Sequence, residues 1–224
     1  MFLAARAGDR SIPKGTDQSS GYTEKLNAVF KAGKTSLTAK AQSEASPTPQ
    51  GAPAASPRRI VLTGFMGSGK STVGPLLAKR LGWSFVDVDD AIAAEAGATI
   101  AELFARHGEQ AFREREHAAI ARLAAGDGLV LALGGGAIEH PATRELLLAA
   151  PGTLLVHLEV ELATTLTRCR GTEHTRPILA DQANLADRYQ RRLPLYRQAH
   201  ISIPVDDLPP KKVVEAVLRA ARLG

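Results

Sequence analysis

From residue 58 onward the chain alternates short, almost unbroken apolar runs with longer stretches whose apolar residues recur at helical spacing. The apolar runs fall at 59–63, 84–88, 129–133, 153–158 and 201–205. Strands with so few polar positions are buried on both faces, as in a parallel sheet covered by helices. The helical patterns fall at 70–81, 90–96, 99–106, 110–125, 141–149, 161–168, 185–199 and 210–223. Thr99 with Glu102 three residues on has the form of a capping box, and Pro141 suits a first helical turn. This alternation predicts one α/β domain over 58–224, with helices on both faces of a five-stranded parallel sheet.

The first 57 residues break the pattern. Gly, Ser, Thr, Gln, Lys and Pro dominate there, ending in "SEASPTPQGAPAASP", a composition that buries too little apolar surface to order itself. Residues 1–57 therefore read as a disordered extension and linker without a catalytic role, with room for a short helix over 22–32. A docking tail, an organelle address and an early start codon all fit this segment.

Composition narrows the function classes. The 224 residues are 44% apolar and 23% charged, ordinary for a globular chain, and only 4% aromatic. The core is thus expected from Ala, Leu, Val and Ile. No apolar run approaches the ~20 residues of a membrane span, and "MFLAARAGDR" is too short in its apolar part for a secretory signal. The single Cys169 cannot form an internal disulfide, which suits a reducing compartment. The formal net charge of +5 lies mostly in the first 57 residues, which carry seven basic and four acidic side chains. No dense Lys/Arg stripe with interleaved aromatics is present, which argues against nucleic acid. A cytoplasmic monomer that handles small anionic ligands is the expectation.

The chemistry begins at "GFMGSGKS", residues 64–71, which matches G-x-x-x-x-G-K-[ST] between a strand and a helix, the context the motif requires. Gly64, Gly67 and Gly69 allow the backbone to curl with its N–H groups turned inward around phosphate. Ser68 and Thr72 belong to the same cradle, at the positive end of the helix. Lys70 is placed to reach the β- and γ-phosphates, and Ser71 to ligate Mg²⁺. Such a loop alone does not separate kinases from GTPases, motors or ATP-driven regulators.

Carboxylates decide further. The strand "LVLAL" ends in Gly134, Gly135 and Gly136 and offers no acid, whereas "FVDVDD" supplies Asp87, Asp89 and Asp90 after the second strand. Groups at the carboxyl ends of strands line the ligand crevice of an open α/β sheet. Asp87 and Asp89, two residues apart, are expected to point the same way and to divide the work. One faces the metal and the other a substrate hydroxyl, while Asp90 is expected to cap the next helix.

The segments "GFMGSGKST", "FVDVDDAI", "IAELFARHGEQAFREREHAAI", "LALGGGAI", "TRPIL" and "RRLPLYRQAH" resemble those of shikimate kinases in order and approximate spacing. The resemblance covers about 58–223 and implies a P-loop NTPase-type fold with a mobile lid. It implies transfer of the γ-phosphoryl group of ATP to the 3-hydroxyl of shikimate, giving ADP and shikimate 3-phosphate, with one Mg²⁺ ion. It further implies that Arg113 and Arg192 grip the substrate carboxylate, a task suited to the planar fork of guanidinium. Spacing alone would read Arg113 as a surface ion pair beside Glu109 or His117. The same resemblance gives Asp89 to the substrate hydroxyls, Asp87 to the Mg²⁺ shell and the Gly135 backbone to the substrate. The lid is 171–184, with Arg176 reaching the transferring phosphoryl group. Arg168, or alternatively Arg170, stacks on adenine, with Pro210 on its other face.

His107, His117, His140, His157, His174 and His200 show no metal-ligand spacing. Trp83 and Tyr196 read as packing residues. A different P-loop metabolite kinase, of gluconate kinase type, should lack the Arg113/Arg192 pair together with the glycine triplet. A ligand-sensing regulator should carry a DNA-binding helix pair, and the first 57 residues contain no such pattern.

Overall fold

The computed structural model describes residues 56–171 and 182–223. Its centre is the strand β1, Arg59–Thr63, buried at every position as its composition requires. With it, four more strands complete a five-stranded parallel sheet in the order β2-β3-β1-β4-β5, where β2 is Ser84–Asp87, β3 Leu129–Ala132, β4 Thr153–Glu159 and β5 Ile201–Pro204. Ile60 pairs in register with Val130 on one side and Leu154 on the other. The helices are α1 Lys70–Leu81, α2 Val88–Ala96, α3 Ile100–Leu123, α4 Pro141–Ala149, α5 Leu162–Arg168, α6 Gln182–Tyr196 and α7 Pro210–Ala220. One 3₁₀ turn covers Ala137–Glu139.

The strand order fixes which helices share a face. Right-handed crossovers put α1 on one face as the chain leaves β1 for the β2 edge. The later connections run back across the sheet, so α3, α4 and α5 take the other face. α7 returns to pack on α1, while α4 packs on β4 and α3. This is the three-layer P-loop arrangement. The neighbouring strands β1 and β3 send their chains to opposite faces, and a crevice opens between their carboxyl ends. The phosphate loop follows β1 and the glycine triplet follows β3. The site is therefore set by topology.

Local chemistry explains the boundaries. Thr99 and Glu102 form the complete capping box of α3. Residues 107–109, where the helical pattern lapsed, hold a break inside α3 at Gly108, with φ 76° and ψ 172°. The second strand ends one residue early, because Val88 already begins α2. α6 ends at Tyr196 rather than 199, two residues after Pro194 removes a helical N–H. Arg59, buried at the start of β1, donates to the carbonyls of Gly126 and Pro151 and pairs with Asp127, which ties the amino ends of three strands together. Among the described residues no helix is long and apolar enough to cross a membrane. The extension at 1–55, most of the lid with Arg176 and His174, and the end residue 224 lie outside the described residues.

Candidate active site

The loop after β1 is shaped by its glycines. Gly64, Gly67 and Gly69 all have positive φ. At Gly64 a side chain is impossible, since a Cβ would lie 2.5 Å from the carbonyl oxygen of Leu158. Gly69 is the N-cap of α1 and supplies no side-chain cap, so no side chain of its own competes for the helix's first N–H groups. Lys70 Nζ donates to the carbonyls of Gly64 and Phe65, at 2.8 and 3.1 Å, so the ammonium group is held over that loop.

Ser71 and Asp87 meet beside it. The Ser71 hydroxyl donates to Asp87 Oδ2 at 2.9 Å, and Asp87 Oδ1 accepts from the N–H of Asp89 at 3.1 Å. Asp87, not Asp90, is thus the cap of α2. The reason is the early end of β2, which makes Asp87 the last extended residue. Asp87 and Asp89 consequently do not alternate along a strand. Two hard oxygen donors next to a phosphate loop fit Mg²⁺, which takes few protein ligands and fills its octahedron with water and phosphate oxygens. No cluster of three or more His, Cys, Asp or Glu able to hold a metal occurs among the described residues.

On the other side of Asp89 the glycine triplet closes in. A Cβ on Gly134 would lie 2.7 Å from Asp89 Oδ1 and 2.8 Å from Glu116 Oε1, and one on Gly136 only 2.1 Å from Arg113 Nη2. Gly135 is under less constraint. Its φ is not positive, and a Cβ there would make only ordinary contacts, the nearest being Arg192 Nη1 at 3.6 Å. Gly134 and Gly136 are bare because Asp89, Glu116 and Arg113 pack against them, and Arg192 lies in ordinary contact with Gly135. Asp89 is pushed up to about 6, first by burial and then by the Asp87 carboxylate, with Lys70 and Arg113 opposing.

Both arginines are held before any substrate arrives. Arg113 donates to Glu116 at 2.6 Å and to Glu109 at 3.1 Å, and its guanidinium lies against the rings of Phe104 and Phe112. The ion pair with Glu109 and the approach to the triplet therefore coexist, while His117 instead bonds Thr143 at 3.0 Å. Arg192 donates through Nε and Nη2 to Glu139 Oε2, at 2.9 and 2.6 Å.

Four residues that sequence reasoning left out or set aside belong to this site. Glu116 is fully buried on a helix that reads as charged, and burial pushes its carboxyl up to about 7 against the pull of Arg113. Its three-residue offset from Arg113 and four-residue offset from Ile120 was the available signal. Glu139 lies three residues after the triplet, at the end of the 3₁₀ turn. Tyr196, buried as expected, also donates its hydroxyl to the carbonyl of Gly135 at 2.6 Å. His157 of β4 stacks on Tyr196 with centroids 5.2 Å apart, and burial pushes its ring down to about 4.

A cavity of about 460 Å³ continues from the loop. Gly67, Ser68, Gly69, Lys70, Ser71 and Thr72 line it, as do Arg168 and Pro210. Arg168 is fixed there by the carbonyls of Gly67, Val205 and Asp206, at 3.1, 2.7 and 2.8 Å, whereas Arg170 is not among the lining residues. Trp83 packs against the core at the helix-to-strand corner.

Comparison with known proteins points the same way. A family model described as shikimate kinase matches residues 66–222. The shikimate kinase of Paramagnetospirillum magneticum is 44% identical over 164 residues, covering 72% of this chain and 83% of that protein. That of Symbiobacterium thermophilum is 43% identical over 71% of this chain and 93% of its own length. A solved structure of shikimate kinase from Acinetobacter baumannii in complex with shikimate superposes with a TM-score of 0.67 at 36% identity, covering 73% of this chain and 91% of that one.

Proposed function

The chain belongs to the shikimate kinase family, and from that premise we propose that it transfers the γ-phosphoryl group of ATP to the 3-hydroxyl of shikimate, giving ADP and shikimate 3-phosphate. The observation that carries the reading is the convergence of Asp89, Arg113 and Arg192 on the glycine triplet, beside the phosphate loop. The two guanidinium groups recognise the carboxylate of the hydroxy-acid and fix its ring in one orientation. Asp89 then orients the reacting hydroxyl and accepts its proton, for which a carboxyl raised toward neutrality is suited.

Lys70 holds the phosphates against the loop N–H groups, and Arg176 brings positive charge to the transferring group when the lid closes. Ser71 and Asp87 would hold Mg²⁺, which supplies charge neutralisation on the phosphate oxygens. Arg168 and Pro210 take the adenine between them. Residues 58–224 carry the activity, and 1–57 form an extension outside catalysis. The protein works as a monomer in the cytoplasm, within aromatic amino-acid biosynthesis.

A coupled assay of ADP release with shikimate, quinate, gluconate or no acceptor tests the assignment. Turnover should be strong with shikimate alone. Equal rates with gluconate, or without acceptor, would reject it. Comparing the full chain with one that begins at Arg58 tests the extension, and equal constants are expected.

A further inference from the structure

We propose that Glu139 is a built-in competitor for the carboxylate of the substrate and so sets how tightly the hydroxy-acid binds. The inference rests on the reading of Arg192 as one half of the carboxylate clamp. Glu139 Oε2 accepts from both Nε and Nη2 of Arg192. That edge of a guanidinium is one that an incoming carboxylate would grip in fork fashion. The remaining nitrogen, Nη1, faces Gly135.

The pair is asymmetric in a way that says which partner yields. The Arg192 side chain is 6% exposed and that of Glu139 is 32% exposed. The backbone around Glu139 is pinned, because its N–H donates to the Gly136 carbonyl at 2.9 Å. Arg144 further donates to the carbonyls of Ile138 and Glu139, at 2.9 and 3.1 Å. Only the carboxylate end of Glu139 is left to turn away. It has somewhere to go: Glu139 and Arg192 line a cavity of about 450 Å³ together with Arg113, Arg188 and Arg191. Arg188 Nε is buried there without a hydrogen-bond partner among the described residues.

Two carboxylates cannot share one guanidinium edge without strong repulsion. A substrate carboxylate must therefore displace Glu139, and part of its attraction for Arg192 goes to breaking the existing ion pair. A neutral polyol has no charge with which to displace it. The pair thus weakens binding of a carboxylate at Arg192 and keeps that edge closed to a neutral acceptor.

The test uses the full chain and measures the shikimate KM, the ATP KM and kcat for Glu139→Gln and Glu139→Ala. Both substitutions should lower the shikimate KM by about two- to five-fold, as release of a partly exposed ion pair allows. The change should fall on that constant rather than on kcat or the ATP KM. A shikimate KM that rises marks Glu139 as a strut for Arg192 and overturns the proposal, as does one that stays put.

Arg192→Ala separates this inference from the clamp reading beneath it. The clamp requires the shikimate KM to rise about ten-fold or more, and in that background Glu139→Gln should change nothing further. An unchanged KM in Arg192→Ala overturns the clamp and the competitor together. A raised KM there, with no gain from Glu139→Gln in the native background, overturns the competitor alone.

Discussion

The hydroxyl of Ser71 donates to Oδ2 of Asp87 across 2.9 Å, joining the first turn of α1 to the end of β2. Two oxygens brought together beside the phosphate loop are the pair proposed above to hold Mg²⁺. Ser71→Ala should raise the Mg²⁺ concentration for half-maximal rate by about ten-fold, the usual scale for loss of one supporting group. Titrating the rate with Mg²⁺ at saturating ATP checks it. An unchanged midpoint would move the metal elsewhere.

Lys70 is held by the carbonyls of Gly64 and Phe65, so its ammonium already sits over the loop that curls around phosphate. Its charge should matter more in the transition state than in the ground state. Lys70→Ala is expected to lower kcat/KM by two decades or more, about 3 kcal/mol of transition-state stabilisation. Steady-state kinetics decides, and retained activity would remove the loop from the mechanism.

Arg113 lies on Gly136 while bound to Glu116 and Glu109. Arg113→Ala should raise the shikimate KM about ten-fold or more and leave the ATP KM within about two-fold, because Arg113 does not line the cavity that continues from the phosphate loop. Equal effects on the two constants would count against a carboxylate clamp. The variant should also melt lower, since Glu116 would stay buried without its cation.

What the sequence disclosed and what it hid differ in kind. The phosphate loop, the sheet and its helices were legible, because strand-loop-helix context and apolar runs are local properties. Even the break in α3 showed as a lapse in pattern around Gly108. Hidden were relationships that exist only once distant segments meet. Asp90 was expected to cap α2, yet Asp87 does so, and a shift of one residue in the strand end decided that. Glu116 looked like one more charge on a solvated helix face until the packed glycine triplet buried it. Tyr196 was correctly read as core, but its hydroxyl partner 61 residues away could not be read from spacing. The roles of Arg113 and Gly135 came from resemblance alone, and the need for bare glycine proved sharper at Gly134 and Gly136.

Tyr196 carries the carbonyl of Gly135 on its hydroxyl at 2.6 Å, with His157 stacked on its ring. Tyr196→Phe keeps the ring and leaves that carbonyl without its donor, which costs about 1 kcal/mol of stability. The loosened triplet should raise the shikimate KM by about three-fold while the ATP KM holds, a change of less than 1 kcal/mol. Thermal melts and the two KM values together distinguish a positioning role from simple packing. A lower melting temperature with unchanged KM would leave only packing.

Glu116 places two opposing effects on one carboxyl. Burial raises it from its ordinary value of 4.5 to about 7, and the Arg113 ion pair at 2.6 Å pulls the other way. With burial the larger, the folded chain between pH 4.5 and about 7 keeps a proton that the unfolded chain has released. The contribution of this group to stability is therefore fully present at low pH and is lost as pH rises through about 7. Glu116→Gln fixes the neutral shape and still accepts from Arg113. Its melting temperature should match the native chain near pH 5 and exceed it at pH 8. The upper bound is about 3 kcal/mol, or several degrees for a domain of this size. Comparing the two chains at each pH cancels the opposite trend of His157, whose ring is pushed down to about 4. A variant that melts below the native chain at pH 8 would show that the ion pair outweighs desolvation, and Glu116 would then be a charged anchor for Arg113 throughout the working range.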